Sequence, residues 1–431
     1  MKIIMENPYV QYMYSYPHKT AYRKLEGISL KEYLPCLKQG ENSLYVHIPF
    51  CQYKCGYCNL FSLAGKEEKF MEQYVDALEE HARQLYKMIP QEIKFQDLTL
   101  GGGTPLILPE KLLHRVFSIV KTYFRFSEER IPIIVETSPN QTTKKKLEIL
   151  REYGVSRVSI GVQSFQEQEL KTLHRFHTPD AAKQALNIIQ KMDFACMNVD
   201  LIYGIPGQSM ESLENSLKQA LEYEPEELFV YPLYIKQDTA LQQKGVEQSP
   251  NTFKMYKFVR DFLEKAGYTS CSMRRFVRKD NLPPQNSSKL CGFGNTISLG
   301  CGGRSYIGNL HFCTPYAVKQ EACLKIVEEY LNTTDYTLVS HGYILSEEEQ
   351  KRRYVIKHIL FDTGIHRQNY QQHFGSDVIQ DFPLLVEWEK KGYLRMDKKR
   401  IFLTEEGFAL SDYLGPQLIS KEVQEKMEAF S

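Results

Sequence analysis

From residue 43 onward, the chain alternates short apolar runs with longer segments of helical periodicity. The apolar runs are rich in β-branched residues, and each is followed by a turn containing polar or glycine residues. The runs that predict strands are SLYVHI at Ser43, FQDLTL at Phe95, IPIIVE at Ile131, SRVSIG at Ser156, MNVDLIYG at Met197 and ELFVYPLY at Glu227. The segments that predict helices are 67–88, 109–123, 143–153, 180–192 and 209–223. This alternation predicts an α/β fold with a parallel sheet, and about six such units suit a closed or partly open barrel.

The pattern changes after about residue 345. SEEEQKRRYVIKHILFDTG predicts a capped amphipathic helix, HRQNYQQHFG and SDVIQDFPLLVEWEKKG predict two more helical segments, and YLRMDKKRIFLT predicts a hairpin around Asp397 to Lys399. Helices followed by a small hairpin are typical of a winged-helix-like module. DNA binding is disfavoured because acidic residues, which repel phosphate, occupy the segment in the position of a recognition helix: Asp377, Asp381, Glu387 and Glu389.

Composition and charge narrow the function without defining it. The 431 residues are 42% hydrophobic and 25% charged, with a formal net charge of +1, so the overall balance favours neither nucleic acid nor an anionic membrane as a partner. The N-terminus lacks the apolar core of a signal peptide, and no run is long and apolar enough to span a bilayer. We therefore expect a cytoplasmic protein, in which ten cysteines favour metal binding or catalysis over disulfides.

Three of these cysteines crowd into the segment YVHIPFCQYKCGYCNLF, directly after the first predicted strand. Cys51, Cys55 and Cys58 have the spacing C-x3-C-x2-C. Thiolates are soft ligands that suit zinc or iron–sulfur clusters. A structural zinc site needs four ligands, whereas three thiolates on a four-iron cluster leave one iron open for a substrate or cofactor. The spacing alone therefore leaves both metals open and favours the iron–sulfur cluster.

The other polar residues singled out by the pattern lie at or just beyond the ends of the predicted strands. They are the GGGTP turn, Glu136, Gln163 within GVQSF, Asp200 and Tyr231. In a βα barrel the loops after the strands converge on one mouth, where active sites are built. We therefore expect these residues and the cysteine loop to share one site.

At this point the sequence resembles a known family. The C-x3-C-x2-C spacing, with aromatic Tyr57 before the last cysteine, resembles the signature of radical S-adenosylmethionine (radical SAM) enzymes. The segments YVHIPFC, LGGGTP, ETSPNQ, RVSIGVQSF, LHRFH and NVDLIYGIPGQ are similar to the coproporphyrinogen III oxidase-like family, which contains the anaerobic oxidase, haem chaperones and class C methylases. The resemblance implies a partial (β/α)6 TIM-like radical SAM barrel with a C-terminal α+β winged-helix-like domain that covers the barrel mouth. The regions it implies are an N-terminal arm at 1–42, the barrel at 43–270, a Gly- and Cys-containing substrate-side region at 271–345 and the winged-helix-like domain at 346–431.

The resemblance also implies roles for individual residues. Cys51, Cys55 and Cys58 would be the catalytic and metal-binding residues that hold a 4Fe-4S cluster, whose open iron binds S-adenosylmethionine (one or two molecules in all). Tyr45 and Tyr57 would lie beside this cofactor, Gly102, Gly103 and Thr104 near its methionine end, and Glu136, Gln163 and Asp200 at its polar groups, with Asp200 at the ribose. Arg175 would pair with the cofactor's carboxylate.

The implied activity is reductive cleavage of S-adenosylmethionine to a 5′-deoxyadenosyl radical, which takes hydrogen from an unidentified small-molecule or peptide substrate, with class C-type methylation left open. A reductase or a flavodoxin or ferredoxin would donate the electron. The sequence departs from the anaerobic oxidase at Leu60, where that enzyme has a further cysteine, and NSSKLCGFGN lacks the chaperones' haem-binding signature. Coproporphyrinogen decarboxylation, a haem chaperone without turnover and a zinc-stabilised binding module remain alternatives.

Three further segments have open interpretations. Cys271, Cys291, Cys301 and Cys313 are expected to be ordinary core or loop thiols, with an auxiliary cluster as the alternative. Gly292 to Gly308 is a hypothetical substrate-side loop because of its glycine content. The segment Tyr14 to Arg23 combines aromatic and basic residues, so it either binds an anionic or flat ligand or covers the barrel surface.

Overall fold

The central feature of the computed structural model is one large sheet of thirteen strands. The structure describes residues 8–38, 41–124, 131–281 and 293–430. The strands are β1 Arg23–Ser29, β2 Asn42–Ile48, β3 Phe50–Cys51, β4 Leu63–Ala64, β5 Asp97–Gly102, β6 Ile133–Thr137, β7 Arg157–Gln163, β8 Cys196–Tyr203, β9 Glu227–Pro232, β10 Tyr268–Ser270, β11 Arg275–Arg278, β12 Asn295–Leu299, β13 Ser305–Ile307, β14 Leu310–Phe312, β15 Leu338–Ile344, β16 Ile365–His366, β17 Leu394–Met396 and β18 Arg400–Leu403.

Helices follow most of the central strands and then dominate the C-terminal part of the chain. They are α1 Glu68–Met88, α2 Glu110–Phe124, α3 Lys144–Glu152, α4 Glu167–Thr172, α5 Pro179–Lys191, α6 Met210–Leu221, α7 Ala240–Gln243, α8 Thr252–Lys265, α9 Gln320–Leu331, α10 Glu347–Ile359, α11 Arg367–Phe374, α12 Val378–Asp381, α13 Leu384–Lys390, α14 Glu405–Ala409, α15 Ser411–Leu414 and α16 Lys421–Glu428. No helix in the described ranges is both long and apolar enough to cross a membrane.

The six strands predicted from the sequence are all present, and they lie side by side in chain order. β2, β5, β6, β7, β8 and β9 pair in parallel, each with the next. The outer neighbour of β2 is β12, and the outer neighbour of β9 is β11. Because β2 and β9 pair with other strands, the barrel is open, which confirms the predicted partial barrel.

The sheet extends well beyond these six strands, which the apolar pattern did not predict. β12 pairs in parallel with β2, and β13, β14, β15 and β1 follow in antiparallel order. The region at 271–345 and the N-terminal arm therefore continue the barrel sheet. These added strands are short or irregular, so their periodicity is weak in the sequence. The region boundaries stay predictions.

Amphipathic helices cover the sheet and exclude water from it. In α1 the buried residues Met71, Tyr74, Val75, Leu78, Ala82 and Leu85 recur every three or four positions, so they form one apolar stripe. This stripe belongs to the large core that also contains the buried β2 residues Leu44, Val46 and Ile48. A rigid core on this side holds the strand ends, and therefore the loops beyond them, in a defined arrangement.

The C-terminal part has its own core and its own small sheet. Helices α10 to α13 accompany the three strands β16, β18 and β17, which pair in that order. The hairpin predicted at Asp397 joins β17 to β18, and the Asp397 backbone N–H donates to the Arg400 carbonyl at 2.9 Å. The single helical segment predicted at 376–392 is two helices, α12 and α13, because Pro383 separates them.

Candidate cofactor and active site

A cavity of about 850 Å³ lies where the parallel strands end. Its wall combines the cysteine loop after β2, the glycine-rich end of β5 and the ends of β6 to β9. All predicted site residues except Tyr45 line it: Cys51, Cys55, Tyr57, Cys58, Gly102, Gly103, Thr104, Glu136, Gln163, Arg175 and Asp200. The structure therefore brings these residues together, and their individual roles stay predictions.

The cysteine loop presents three free thiols to this cavity. Arg175 Nη1 donates to Cys55 Sγ at 3.3 Å, and Cys51 Sγ lies 3.8 Å from Thr104 Oγ1. Burial raises the pKa of the Cys51 thiol to about 12. Without a bound cation this thiol is protonated at neutral pH, so its binding to a metal is coupled to release of a proton.

Gly103, just past the end of β5, is in close contact with the cysteine loop. Its N–H donates to the Ile48 carbonyl at 2.8 Å. A Cβ at this position would lie 2.5 Å from the Phe50 carbonyl oxygen and 2.8 Å from Cys51 Sγ, closer than such atoms can approach. The absence of a side chain at Gly103 therefore makes room for the first cysteine of the loop.

Two carboxylates face the cavity from neighbouring parts of the sheet. Glu136 Oε2 accepts the Gly102 N–H at 3.1 Å, and Asp200 Oδ1 accepts the Asn198 amide Nδ2 at 2.7 Å. Desolvation raises the pKa of both groups, that of Asp200 to about 7. Within the described residues neither carboxylate forms an ion pair, so both have acceptor capacity left for a ligand's hydroxyl or ammonium groups.

Gln163 and Arg175 lie on a distorted stretch of β7 and on the loop after α4. Gln163 has a φ of 72°, and the pairing of β7 with β8 shifts between Gly161 and Gln163. Arg175 Nη2 donates to the Gly161 carbonyl oxygen, whereas its Nε has no partner in the described structure. Burial alone would lower the pKa of Arg175, but nearby Tyr57 and Cys55 outweigh it, so the guanidinium stays charged.

Tyr45 lies outside this cavity. It lines a neighbouring interior cavity of about 810 Å³, and its hydroxyl is 3.3 Å from His47 Nδ1. A Cβ on Gly101 would come within 2.8 Å of both the Tyr45 hydroxyl and Glu136 Oε2, so Tyr45 and Glu136 are neighbours across this glycine. Contact between Tyr45 and a cofactor stays a prediction. His47 packs behind the loop, with Nε2 3.2 Å from the Phe61 carbonyl oxygen.

Part of the cavity wall is formed by residues that sequence reasoning did not single out individually. They are Tyr12, Tyr14, Tyr234, Lys236 and Arg304. The composition of the segments Tyr14 to Arg23 and Gly292 to Gly308 was a signal for Tyr14 and Arg304, but it does not extend to Tyr12, Tyr234 or Lys236. The C-terminal part covers the cavity rim, as expected, with Pro416, Ile419, Gln424, Met427 and Glu428.

The remaining cysteines do not gather in a second site within the described residues. Cys271, Cys301 and Cys313 are free thiols, and Cys301 Sγ contacts Thr314 Oγ1 at 3.6 Å. Cys291 and Gly292 lie outside the described residues, as does most of the segment compared with the chaperone signature. In the described ranges, no three or more His, Cys, Asp or Glu side chains are arranged to hold a single metal ion.

Comparison with known proteins points to one family. Residues 45–220 match the model of the Radical SAM superfamily. The heme chaperone HemW of Bacillus subtilis (strain 168) is 28% identical over 386 residues, 86% of this chain and 97% of the relative. The oxygen-independent coproporphyrinogen III oxidase of Escherichia coli (strain K12) is 27% identical over 385 residues, 85% of this chain and 82% of the relative.

These matches together support a radical SAM, coproporphyrinogen III oxidase-like family for this chain. The fold agrees with that assignment. A solved structure of coproporphyrinogen III oxidase from Escherichia coli, described as a radical SAM enzyme, superposes with a TM-score of 0.78 and 23% identity, covering 97% of this chain and 98% of that one. The family implies a 4Fe-4S cluster and S-adenosylmethionine as cofactors.

The residues present fit a radical SAM cofactor pair. Three thiols suit a cluster of four irons better than a single ion, because the larger cluster does not require its ligands to meet at one point. Gly103 leaves space beside Cys51, and Arg175 donates to Cys55. Next to this loop, Glu136, Asp200 and the unpartnered Nε of Arg175 offer acceptors and a donor for an amino acid or ribose.

Proposed function

We propose that this chain generates a radical from S-adenosylmethionine in the cysteine-lined cavity and uses it to take a hydrogen atom from an organic substrate. The observation that supports this most is the shared wall: three free thiols, a glycine-rich strand end, one arginine and two carboxylates that form no ion pair among the described residues border the same space. They come from β2, β5, β6, β7 and β8, whose carboxyl ends meet at one edge of the sheet.

When bound, a reduced cluster and S-adenosylmethionine together supply the 5′-deoxyadenosyl radical, which can abstract hydrogen from an unactivated carbon. The protein binds the cluster and the cofactor and orients them relative to the substrate. Cys51, Cys55 and Cys58 hold the cluster, and Arg175 positions the cofactor's carboxylate. Asp200 accepts hydrogen bonds from the ribose. The C-terminal part, at the cavity rim, limits access of water to the site. An external reductase, flavodoxin or ferredoxin donates the electron.

A tetrapyrrole is the substrate class that we favour. The support is twofold: relatives named for haem or coproporphyrinogen align along most of the chain, and six tyrosines line the cavity, as a flat ring system requires. Leu60, at the position where the oxidase has a further cysteine, is 48% exposed and borders the cavity. This chain therefore differs from the oxidase at a position that borders the cavity. For this reason we treat decarboxylation of coproporphyrinogen as the alternative reaction and not as the first choice. The relatives do not favour methylation.

The first test is product analysis after anaerobic reconstitution with iron and sulfide, reduction and addition of S-adenosylmethionine. We expect 5′-deoxyadenosine by mass spectrometry. S-adenosylhomocysteine in addition would direct the substrate search to methylation. A cluster-loaded protein that forms neither product would contradict the proposal.

Cys55→Ala should abolish cluster assembly and keep the fold, because two thiolates cannot hold the cluster. The measurement is the count of iron and acid-labile sulfide per chain, with circular dichroism for the fold. Cys196→Ala is the matched control, since Cys196 is a half-buried free thiol outside the loop and should leave the count unchanged. A full iron count in Cys55→Ala would refute the ligand assignment.

Haem binding without turnover is the second candidate, and the HemW relatives favour it. An absorbance titration with haem separates the two. A stoichiometric shift of the Soret band together with no 5′-deoxyadenosine would favour the chaperone, whereas nucleoside product without a stoichiometric shift would favour the enzyme.

A further inference from the structure

The wall of the cavity contains a guanidinium to which the predicted cofactor contacts assign no role. Arg304 is half-buried and lines the cavity. Its Nη1 donates to Ser15 Oγ at 2.5 Å, and its Cζ lies 4.6 Å from the centre of the Tyr14 ring. Among the described residues, no carboxylate lies within ion-pair distance of this side chain. Its charge is therefore balanced by no acid of the described protein.

Two fully buried arginines of the described structure have acidic partners. Arg274 forms an ion pair with Asp412, and Arg275 forms one with Glu227; all four side chains are buried. A charge inside a protein is costly unless it is paired. Arg304 departs from this rule, so its charge suits a ligand that brings its own anion.

A second basic group, Lys19, lines the neighbouring cavity of about 810 Å³ together with Arg304. Lys19 is buried, and its amine nitrogen lies 3.6 Å from the centre of the Tyr316 ring. Burial and then the charge of Arg304 lower the pKa of Lys19 to about 7, so a bound anion would favour its protonated form. In the part of the chain that the structure describes, Lys19 has no carboxylate partner either. Two neighbouring cations without an acid between them are typical of a site for an anion.

The strongest electrostatic neighbours of Arg304 are Tyr306, Tyr14 and Tyr22, not the cysteines of the loop. The wall of the cavity is also aromatic: Tyr12 and Tyr234 line it, with their rings stacked at 6.1 Å and tilted by only 9°.

We propose that Arg304, assisted by Lys19, binds a carboxylate of the substrate, so that an acidic, flat substrate is anchored by Arg304 while its ring system lies against the tyrosines of the cavity wall. The orientation rests on the proposed function. The recognition of a carboxylate does not, because it requires neither reduction nor S-adenosylmethionine. Guanidinium is suited to this role because its planar N–H groups match the geometry of a carboxylate.

The experiment is an anaerobic fluorescence titration of the full-length, cluster-loaded protein with coproporphyrin III and with its tetramethyl ester, without reductant. We expect the wild type to bind the acid about tenfold or more tightly than the ester. Arg304→Gln should weaken binding of the acid by a similar factor and leave binding of the ester unchanged. Arg304→Lys, which keeps the charge and loses the planar fork, should recover part of the affinity for the acid.

Arg115→Gln is the matched control. Arg115 pairs with Asp76 and Glu79 between α1 and α2, outside the cavity, so its loss of charge should leave both titrations unchanged. Thermal melting of each variant reports folding. Arg304→Gln should melt no lower than the wild type, since it removes an unbalanced charge.

Equal affinities of the wild type for acid and ester would overturn the proposal, as would an equal loss for both in Arg304→Gln. A lower melting temperature of Arg304→Gln, with Arg304→Lys no better than Arg304→Gln towards the acid, would make Arg304 structural and also overturn it. Titration with S-adenosylmethionine distinguishes a second source of carboxylate: weaker binding of that cofactor to Arg304→Gln would assign the residue to the cofactor. If 5′-deoxyadenosine never forms but selectivity for the acid remains, the proposed function fails and this inference stands.

Discussion

The two ends of the parallel sheet differ in whether their buried charged side chains have partners of opposite charge. At the amino ends of β7 and β9, Glu227 binds two arginines: its Oε2 is 2.7 Å from Arg157 Nη2, and its Oε1 forms an ion pair with Arg275 of the antiparallel neighbour β11. All three side chains are largely buried, yet each charge has an opposite neighbour. This end is a closed electrostatic unit that contributes to the fold.

At the carboxyl ends of the strands, the charged side chains that line the cavity lack such neighbours in the described residues. Glu136 and Asp200 form no ion pairs in the described structure, and Arg175 donates to Cys55 and to the Gly161 carbonyl rather than to an acid. Desolvation raises the pKa of Asp200 to about 7, so ionisation of this group is costly. The comparison teaches that charge balanced within the chain marks the structural end of the sheet, and charge left unbalanced marks the end that receives ligands.

We expect the largest effect on stability from a substitution that breaks the buried ion pairs of Glu227. Glu227→Gln would leave Arg157 and Arg275 buried without an acid and should lower the free energy of unfolding by about 3 to 5 kcal/mol. Glu226→Gln is the neighbouring control: Glu226 pairs with Arg278 at 3.3 Å, in a less buried position, and its loss should cost less than about 1 kcal/mol. Chemical denaturation measures both. Equal effects of the two substitutions would mean that burial of the pair does not matter.

At the cavity end of the sheet, removing a carboxylate charge should raise the free energy of unfolding rather than lower it. Asp200 has a pKa of about 7 in the folded protein against 3.8 for the free side chain, so the folded state holds more protons between these values. Its contribution to stability therefore falls as pH rises from about 4 to 7 and stays low above pH 7. Asp200→Asn should remove that fall and stabilise the cofactor-free protein at pH 8 by up to about 4 kcal/mol.

The measurement is the free energy of unfolding at pH 5 and pH 8 for wild type and Asp200→Asn. Asn198 can still donate to the new amide oxygen, so the variant keeps the hydrogen bond seen in the wild type. If the free energy of unfolding changed between pH 5 and pH 8 by the same amount in the wild type and in Asp200→Asn, the ionisation of Asp200 would not be unfavourable in the folded protein.

The smallest effect concerns the cofactor. Arg175→Lys should weaken binding of S-adenosylmethionine to the cluster-loaded protein by about 1 to 3 kcal/mol, because an ammonium cannot form the paired hydrogen bonds of a guanidinium. Arg151→Lys is the control, since Arg151 donates only to the Asp193 carbonyl at an exposed position. Calorimetry measures both variants. Unchanged affinity of Arg175→Lys would remove this arginine from the cofactor site.

Much of the fold was predictable because parallel strands bury both faces and therefore appear as continuous apolar runs. The predicted strand at 156–161 is β7 at Arg157–Gln163, and the predicted helix at 67–88 is α1 at Glu68–Met88. The antiparallel extension through β12 to β15 and β1 was not predictable, because strands such as β13 and β14 have three residues each and show no period. The helix predicted across Pro383 was wrong for a local reason, the break that proline imposes.

For the site, the sequence located the residues that follow predicted strands. Cys51 and Gly103 reach one cavity because each lies just beyond a strand's carboxyl end, and Asp200 reaches it from within β8. Arg304 and Tyr12 reach it by routes that no strand pattern indicates. Arg304 directly precedes β13, and Tyr12 belongs to the arm before β1. Such contacts depend on the tertiary path of the chain. The periodicity of the sequence does not predict that path, and the composition of a segment indicates it only weakly.

The most direct test of the central claim, that this cavity holds a three-cysteine cluster beside S-adenosylmethionine, is electron paramagnetic resonance of the reduced, reconstituted protein with and without that cofactor. We predict the signal of a reduced 4Fe-4S cluster whose spectrum changes when S-adenosylmethionine is added, and no such signal in Cys55→Ala. A cluster signal that S-adenosylmethionine leaves unaltered, or one that persists in Cys55→Ala, would contradict the account.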